Sequence, residues 1–247
     1  MERGQAVKAG LERGWRQEAQ KARMQEVRLV LVADTHAHEA ELEMPAADGL
    51  IVAGDITNLF MTGWDEQVRK FAAWLKAQPY EFKAVVGGNH DRAVELSEDK
   101  VRWLLGEGVY LRDQEVAWNG LRIWGSPWTP AHDLLAFNLR PEVIGEKWRL
   151  IPDGIDVLVT HGPPYGILDR TVDGPGGDME LLEAVERVKP RVHVFGHLHE
   201  GHGAVRMGRT LFVNASVAGG GDMGYVPRWE PTVVDVAPGR AAVVVSD

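Results

Sequence analysis

Residues 83–91 read KAVVGGNHD. An apolar run, Ala84-Val85-Val86, stops at two glycines. An amide, an imidazole and a carboxylate follow at once in Asn89, His90 and Asp91. A short continuous apolar run bounded by glycine reads as a strand buried on both faces. In open α/β sheets, functional side chains gather in the crevice beyond the carboxyl ends of such strands. The same pattern recurs along the chain. VRLVLVADTH (27–36) ends in Asp34-Thr35-His36, and GLIVAGD (49–55) ends in Gly54-Asp55. IDVLVTHG (155–162) ends in Thr160-His161-Gly162, and VHVFGHLHE (192–200) carries Gly196-His197-Leu198-His199.

Helical patterns lie between these strands. Val68, Phe71, Ala72 and Leu75 share one face of a helix expected over about 65–78. Ser97 is placed to cap a second helix that buries Val101, Leu104 and Leu105 and stops at Gly106. Asn119-Gly120 favours a type I′ turn in a hairpin. A further helix is expected from Asp178 to Lys189, burying Leu181, Leu182, Val185 and Val188, with Pro190 ending it. TLFVNASV, TVVDV and AAVVVSD close the chain as strand-like runs. Alternating strands and helices define the fold class as α/β. No repeat or linker divides residues 27–247, which are expected to form one domain.

Residues 1–26 differ in character. Val7, Leu11 and Trp15 recur at helical spacing, with Arg13, Arg16, Lys21 and Arg23 on other faces. The segment is expected to be an added amphipathic helix that packs on the body or on another subunit. A homo-oligomer would form through it. A membrane-surface role is the alternative.

Composition bounds the function. Among 247 residues, 45% are hydrophobic, enough for a sizeable core. The absence of cysteine excludes disulfides and thiolate metal sites and fits a reducing compartment, so a cytoplasmic location is expected. A formal net charge of −9 disfavours binding to duplex nucleic acid, which depends on neutralising phosphates. No apolar run approaches the length of a membrane span.

The strand-end clusters offer carboxylates, imidazoles and an amide, without thiol. Asp34 and His36 are two residues apart, as are His197 and His199. In extended backbone alternate side chains share a face, so each pair is expected to reach one centre. The two oxygens of Asp55 allow it to bridge two metal ions. Gly54, Gly88 and Gly196 precede candidate ligands and allow close approach.

In order, the motifs DTH, GD, GNHD, THG and GHLH resemble the calcineurin-like metallophosphoesterase superfamily. GSPWTP, EKWRLIP, DVLVTHGPPYGILD, VFGHLHEGHG and NASV are similar to its subgroup of metallophosphoesterase domain-containing proteins. The resemblance covers most of residues 27–236. It implies a four-layer sandwich of two mixed β-sheets flanked by helices, and phosphodiesterase activity. It further implies two metals: Asp34, His36 and His199 on the first, Asn89, His161 and His197 on the second, and Asp55 between them. His90 would face the substrate. One departure matters. Serine/threonine phosphatases of the superfamily continue the second motif with Asp-Arg-Gly, whereas this chain reads Gly54-Asp55-Ile56-Thr57-Asn58. Phosphoprotein substrates are therefore disfavoured.

The expected chemistry is hydrolysis of small phosphodiesters, cyclic nucleotides among them, by hydroxide generated at two divalent ions. Asn89 contributes a neutral oxygen. His90 is the expected proton donor to the leaving oxygen or stabiliser of the phosphoryl group. Asp91 is read as an acceptor orienting an imidazole, or else as a turn or cap residue. The mixed ligand set suits Mn, Fe, Zn, Co or Ni better than Mg or Ca, and the resemblance favours Mn. Tyr165 and His38 are candidate substrate contacts. Trp128 and His193 are expected to be structural, and His132 and His202 structural or exposed. A phosphomonoesterase or nuclease, or a weakly active metal-binding scaffold, are the competing readings.

Overall fold

Alternation within the apolar strands builds two interfaces at once. The computed structural model of the protein describes residues 26–59, 61–131, 135–219 and 225–245. The helix expected over residues 1–26 lies outside them except for Glu26. The strands of the two main sheets are β1 (Val27–Val32), β2 (Gly49–Ala53), β3 (Phe82–Val86), β4 (Val109–Tyr110), β5 (Gln114–Trp118), β6 (Leu121–Ser126), β7 (Val157–Thr160), β8 (Val192–Phe195), β9 (Gly203–Met207), β10 (Thr210–Asn214), β11 (Thr232–Val236) and β12 (Val243–Val244). The first sheet runs β12-β11-β1-β2-β3-β4 and the second β9-β10-β8-β7-β6-β5. Strands β1 to β4 are parallel, as are β6, β7, β8 and β10; β4 leaves a parallel edge on the first sheet, and antiparallel strands close the other three edges.

Each central strand sends alternate residues to opposite sides. Leu29, Leu31, Ile51, Ala84 and Val86 meet Ile123, Val157, Val159, Val192 and Val194 between the sheets. Val30, Val32, Leu50 and Val52, with Leu158, Phe195 and Phe212 of the second sheet, face the helices. Each fully buried aliphatic contributes ~1.5–3 kcal/mol, and a slip of one residue would exchange the two sets, so register is firmly specified.

Helices α1 (Trp64–Ala77), α2 (Arg92–Leu96) and α3 (Glu98–Leu105) cover the first sheet, and α4 (Pro141–Arg149) and α5 (Met179–Val188) cover the second. The expected faces are buried: Val68, Phe71, Ala72 and Leu75 in α1, and Val101, Leu104 and Leu105 in α3. Ser97 stands at the N-cap position of α3, but its side chain makes no capping bond there. Asp178 does cap α5, accepting from Glu180 N and Leu181 N. Helix α4 is new to the structure; Pro141 starts it, and Ile144 and Trp148 are buried. Asn119 (φ 46°) and Gly120 (φ 79°) are both left-handed, as a type I′ turn requires.

Candidate metal centre

The two sheets meet at the carboxyl ends of their parallel strands. Ala33, just beyond β1, donates its N–H to Ala215 O at 2.8 Å and accepts from Val217 N at 2.9 Å. Asp34 N donates to Gly54 O and Gly196 N to His161 O, each at 2.9 Å. These bonds place the ends of β1, β2, β7 and β8 side by side, and their polar clusters converge.

The backbone there is left-handed, not extended. Asp34 has φ 57°, His36 φ 44°, Asp55 φ 52° and His197 φ 69°. This corrects the expectation that extended alternation pairs Asp34 with His36 and His197 with His199; tight turns aim them instead. A non-glycine residue in this region costs ~1–3 kcal/mol, a strain concentrated at functional sites. Close approach is equally marked. A Cβ on Gly88 would collide with Asp55 Oδ1, and one on Gly196 with Asp34 Oδ2.

Backbone carbonyls orient the imidazoles. His161 Nδ1 lies 2.9 Å from Ala53 O and His36 Nδ1 3.3 Å from Thr57 O. A carbonyl only accepts, so each Nδ1 carries the proton and each Nε2 is turned inward as a ligand atom. His36 Nε2 lies 3.3 Å from His199 Nε2 and 3.9 Å from Asp55 Oδ2. His199 Nε2 lies 3.9 Å from Asp34 Oδ2. On the other side, Asn89 Oδ1 is 2.8 Å from both His161 Nε2 and His197 Nδ1, and His161 Nε2 is 3.4 Å from Asp55 Oδ1. Asp34 and His199 group with His36, while Asp34 and Asp55 group with His161.

The electrostatics match a cation site. Burial raises the Asp34 pKa, with His199 working against it. Burial would also raise Asp55, but the His161, His90 and His36 imidazoles hold it well below the usual carboxylate range. Burial pushes His36 and His197 down to about 3. Burial opposes charge on His161 too, yet the Asp55 carboxylate pushes it up to about 9. Asp34 Oδ1 is buried with no hydrogen-bond partner among the described residues. A buried acceptor without a donor, beside facing imidazole nitrogens, fits a divalent metal.

Asp91 orients no imidazole. Its carboxylate accepts from Gly88 N (2.8 Å), Ile56 N (3.2 Å), Thr57 N (2.8 Å) and Thr57 Oγ1 (2.8 Å), tying the β2 and β3 loops together. Burial and then the Asp55 charge push it up to about 7, although its three backbone partners are donors. His90 stands closer in than expected, grouped with His36 and Asp55. Leu59 N–H donates to its Nδ1 at 3.4 Å, and its own N–H donates to Asp55 Oδ1 at 2.7 Å.

His38 pairs with Glu41 at 2.7 Å, and Tyr165 is 40% exposed on the loop after His161. Trp128 is buried and donates to Asp113, and His193 is buried against Phe195 and Phe212. His202 stacks on Trp229, and His132 lies outside the described residues. Tyr225 escaped the sequence reading. It stacks on His36 at 4.1 Å, and the only signal for it was an aromatic directly after the glycine-rich run 219–224.

The family model for calcineurin-like phosphoesterases matches residues 27–201. The chain is similar to metallophosphoesterase domain-containing protein 1 of Homo sapiens, at 41% identity over 240 residues, covering 86% of this chain and 72% of the relative. It is also similar to a UPF0046 protein of Caenorhabditis elegans, at 37% identity over 239 residues, covering 87% of this chain and 83% of that protein. A solved crystal structure superposes with a TM-score of 0.65 over 90% of this chain and 99% of its own, at 14% identity, and so bears on the fold alone. Because the matched span takes in every strand-end cluster, and relatives align over most of the chain, the protein belongs to the calcineurin-like phosphoesterases, hydrolases of phosphoesters that bind divalent metals.

Proposed function

We propose that the protein is a dinuclear phosphodiesterase for small substrates, with cyclic nucleotides as one suitable class. Asp34, His36 and His199 hold one ion; Asn89, His161 and His197 hold the other; Asp55 joins them. The observation that carries this reading is the Asp55 carboxylate, whose Oδ2 faces His36 and whose Oδ1 faces His161. When bound, the two ions supply Lewis acidity, lowering the pKa of water towards ~7 and offsetting phosphoryl charge.

The chain's own groups do the rest. Ala53 O and Thr57 O lock the tautomers of His161 and His36. Asn89 adds a ligand oxygen without adding charge. With Leu59 N–H on its Nδ1, neutral His90 carries its proton on Nε2, where it can pass to a departing ester oxygen. Diesters are favoured over monoesters on charge. Among the described residues, the cationic neighbours that shift Asp34 and Asp55 most are imidazoles rather than guanidinium groups, so the second negative charge of a monoester finds no arginine among them. Mn²⁺ is the first choice for this ligand set, ahead of Fe, Zn, Co and Ni.

The test is hydrolysis of bis(p-nitrophenyl) phosphate beside p-nitrophenyl phosphate, on chelated protein and after adding each metal back. The expected result is metal-dependent cleavage of the diester, fastest with Mn²⁺. Preference for the monoester would overturn the diester assignment, and no cleavage with any metal would leave a binding scaffold.

A further inference from the structure

The chain after β10 folds back over the end of β1. Ala218 and Gly219 pair antiparallel with Pro227 and Val226. Val217 anchors the base: its N–H donates to Ala33 O at 2.9 Å, and its carbonyl accepts from Arg228 N at 2.8 Å. Trp229 anchors it again by stacking on His202 at 4.8 Å, and His202 Nδ1 lies 2.8 Å from Ser216 O. This ladder delivers Tyr225, the residue before Val226, to the metal centre.

The ring of Tyr225 lies nearly parallel to His36, with centroids 4.1 Å apart at 21°. It meets His90 at 5.3 Å and 83°, and His199 at 5.2 Å and 81°. Tyr225 therefore borders both the first group of ligands and the proposed acid. The ring is half-buried, so part of it still faces solvent. A tyrosine hydroxyl is protonated at neutral pH and is therefore a donor.

We propose that Tyr225 is a substrate-contacting residue: its O–H donates to a phosphoryl oxygen held between His90 and the His36 group, while its ring fixes the plane of His36. The assignment rests on the phosphoesterase reading above. A phosphoryl group within reach of His90 and both sets of ligands must pass beside this ring. A neutral donor also adds a charge-assisted bond to an anionic oxygen without competing with metal for the ligands.

Tyr225→Phe keeps the ring and removes only the O–H. Manganese content by elemental analysis, inorganic phosphate affinity by calorimetry and diester kinetics are measured on Mn-loaded protein. Tyr225→Phe is expected to keep the wild-type manganese content and thermal midpoint. Its phosphate Kd should rise about tenfold or more, with a parallel fall in kcat/KM. Tyr225→Leu, which also removes the ring from His36, should bind manganese more weakly. Unchanged phosphate affinity in Tyr225→Phe, where wild type binds phosphate and cleaves diester, overturns the Tyr225 assignment and leaves the phosphoesterase reading standing. Loss of manganese in Tyr225→Phe overturns it too, by making the hydroxyl part of the metal site. Mn-loaded wild type that neither binds phosphate nor cleaves ester overturns the phosphoesterase reading and this assignment with it.

Discussion

His36 and His199 meet Nε2 to Nε2 at 3.3 Å, both rings buried. Thr57 O takes the Nδ1 proton of His36, so the nitrogen it presents to His199 is a bare lone pair. Burial pushes His36 down to about 3, which rules out relief by protonating that ring at neutral pH. His199 can donate from its own Nε2 to this lone pair, whereas a divalent cation takes a lone pair from each ring and makes the close pair a binding site. Adding Mn²⁺ to chelated protein should therefore raise its stability, by about 2.7 kcal/mol per site at a hundredfold excess over Kd. For a chain of this size that is roughly 5–10 °C in thermal midpoint. Scanning calorimetry with and without Mn²⁺ measures it, and an unmoved midpoint at saturating metal would show that the pair does not bind the ion.

Asp91 should matter through the loops it ties, not through a proton. Its three backbone partners, Gly88 N, Ile56 N and Thr57 N, are obligatory donors, while the single Thr57 Oγ1 proton is shared between Asp91 Oδ1 and His90 O. Asp91→Asn turns an NH₂ towards backbone N–H groups and strands them in a buried site. The expected loss is about 2–4 kcal/mol in urea unfolding of chelated protein, with weaker metal binding as the β2 and β3 loops part. A variant as stable as wild type would mean that Asp91 is protonated in the native state and donates one of these bonds itself.

His193 gives the fold a pH dependence separate from the metal centre. Its Nε2 lies 2.8 Å from Thr160 Oγ1, which itself donates to Gly162 O, so Nε2 carries the proton. Its Nδ1 is buried without a partner among the described residues, and burial pushes the imidazole down to about 3. An unfolded histidine titrates near ~6.5, so the unfolded state binds the extra proton first. This contribution is complete above that value and is lost as pH falls from ~6.5 towards 3. Between about pH 7.5 and about pH 5, wild type should lose roughly 2 kcal/mol more than His193→Gln. Urea midpoints of both proteins in chelator provide the comparison; parallel losses would remove His193 as the cause.

What the sequence disclosed follows how local each signal is. The strands and the apolar faces of α1, α3 and α5 were legible because alternation and helical periodicity are written in adjacent residues. The strand-end groups were legible as a set because carboxyl ends of parallel strands share one edge. The means of their convergence was not. Asp and His adopt left-handed φ more often than most residues but still rarely, so at Asp34, His36, Asp55 and His197 tertiary packing rather than the local pattern selects it. The partners of Asp91 lie up to 35 residues away in another loop, beyond any local pattern. Tyr225 reaches His36 across 189 positions, and only the ladder of Ala218–Gly219 with Val226–Pro227 brings it there.

His90 separates acid catalysis from metal binding most cleanly. Its backbone N–H, not its ring, holds Asp55 Oδ1 at 2.7 Å, so His90→Ala keeps that bond and should keep both ions. On the proposed mechanism it loses the Nε2 proton donated to the leaving oxygen, worth ~10²–10⁴-fold when the leaving group needs it. p-Nitrophenolate leaves without a proton, whereas an alkoxide or nucleoside oxygen does not. Hydrolysis of an alkyl or nucleoside diester should therefore fall far more than hydrolysis of a p-nitrophenyl ester, at unchanged manganese content. Equal losses on both esters would reduce His90 to charge stabilisation. A missing ion in the same sample would instead place it among the ligands, where its proximity to His36 and Asp55 already allows it to reach.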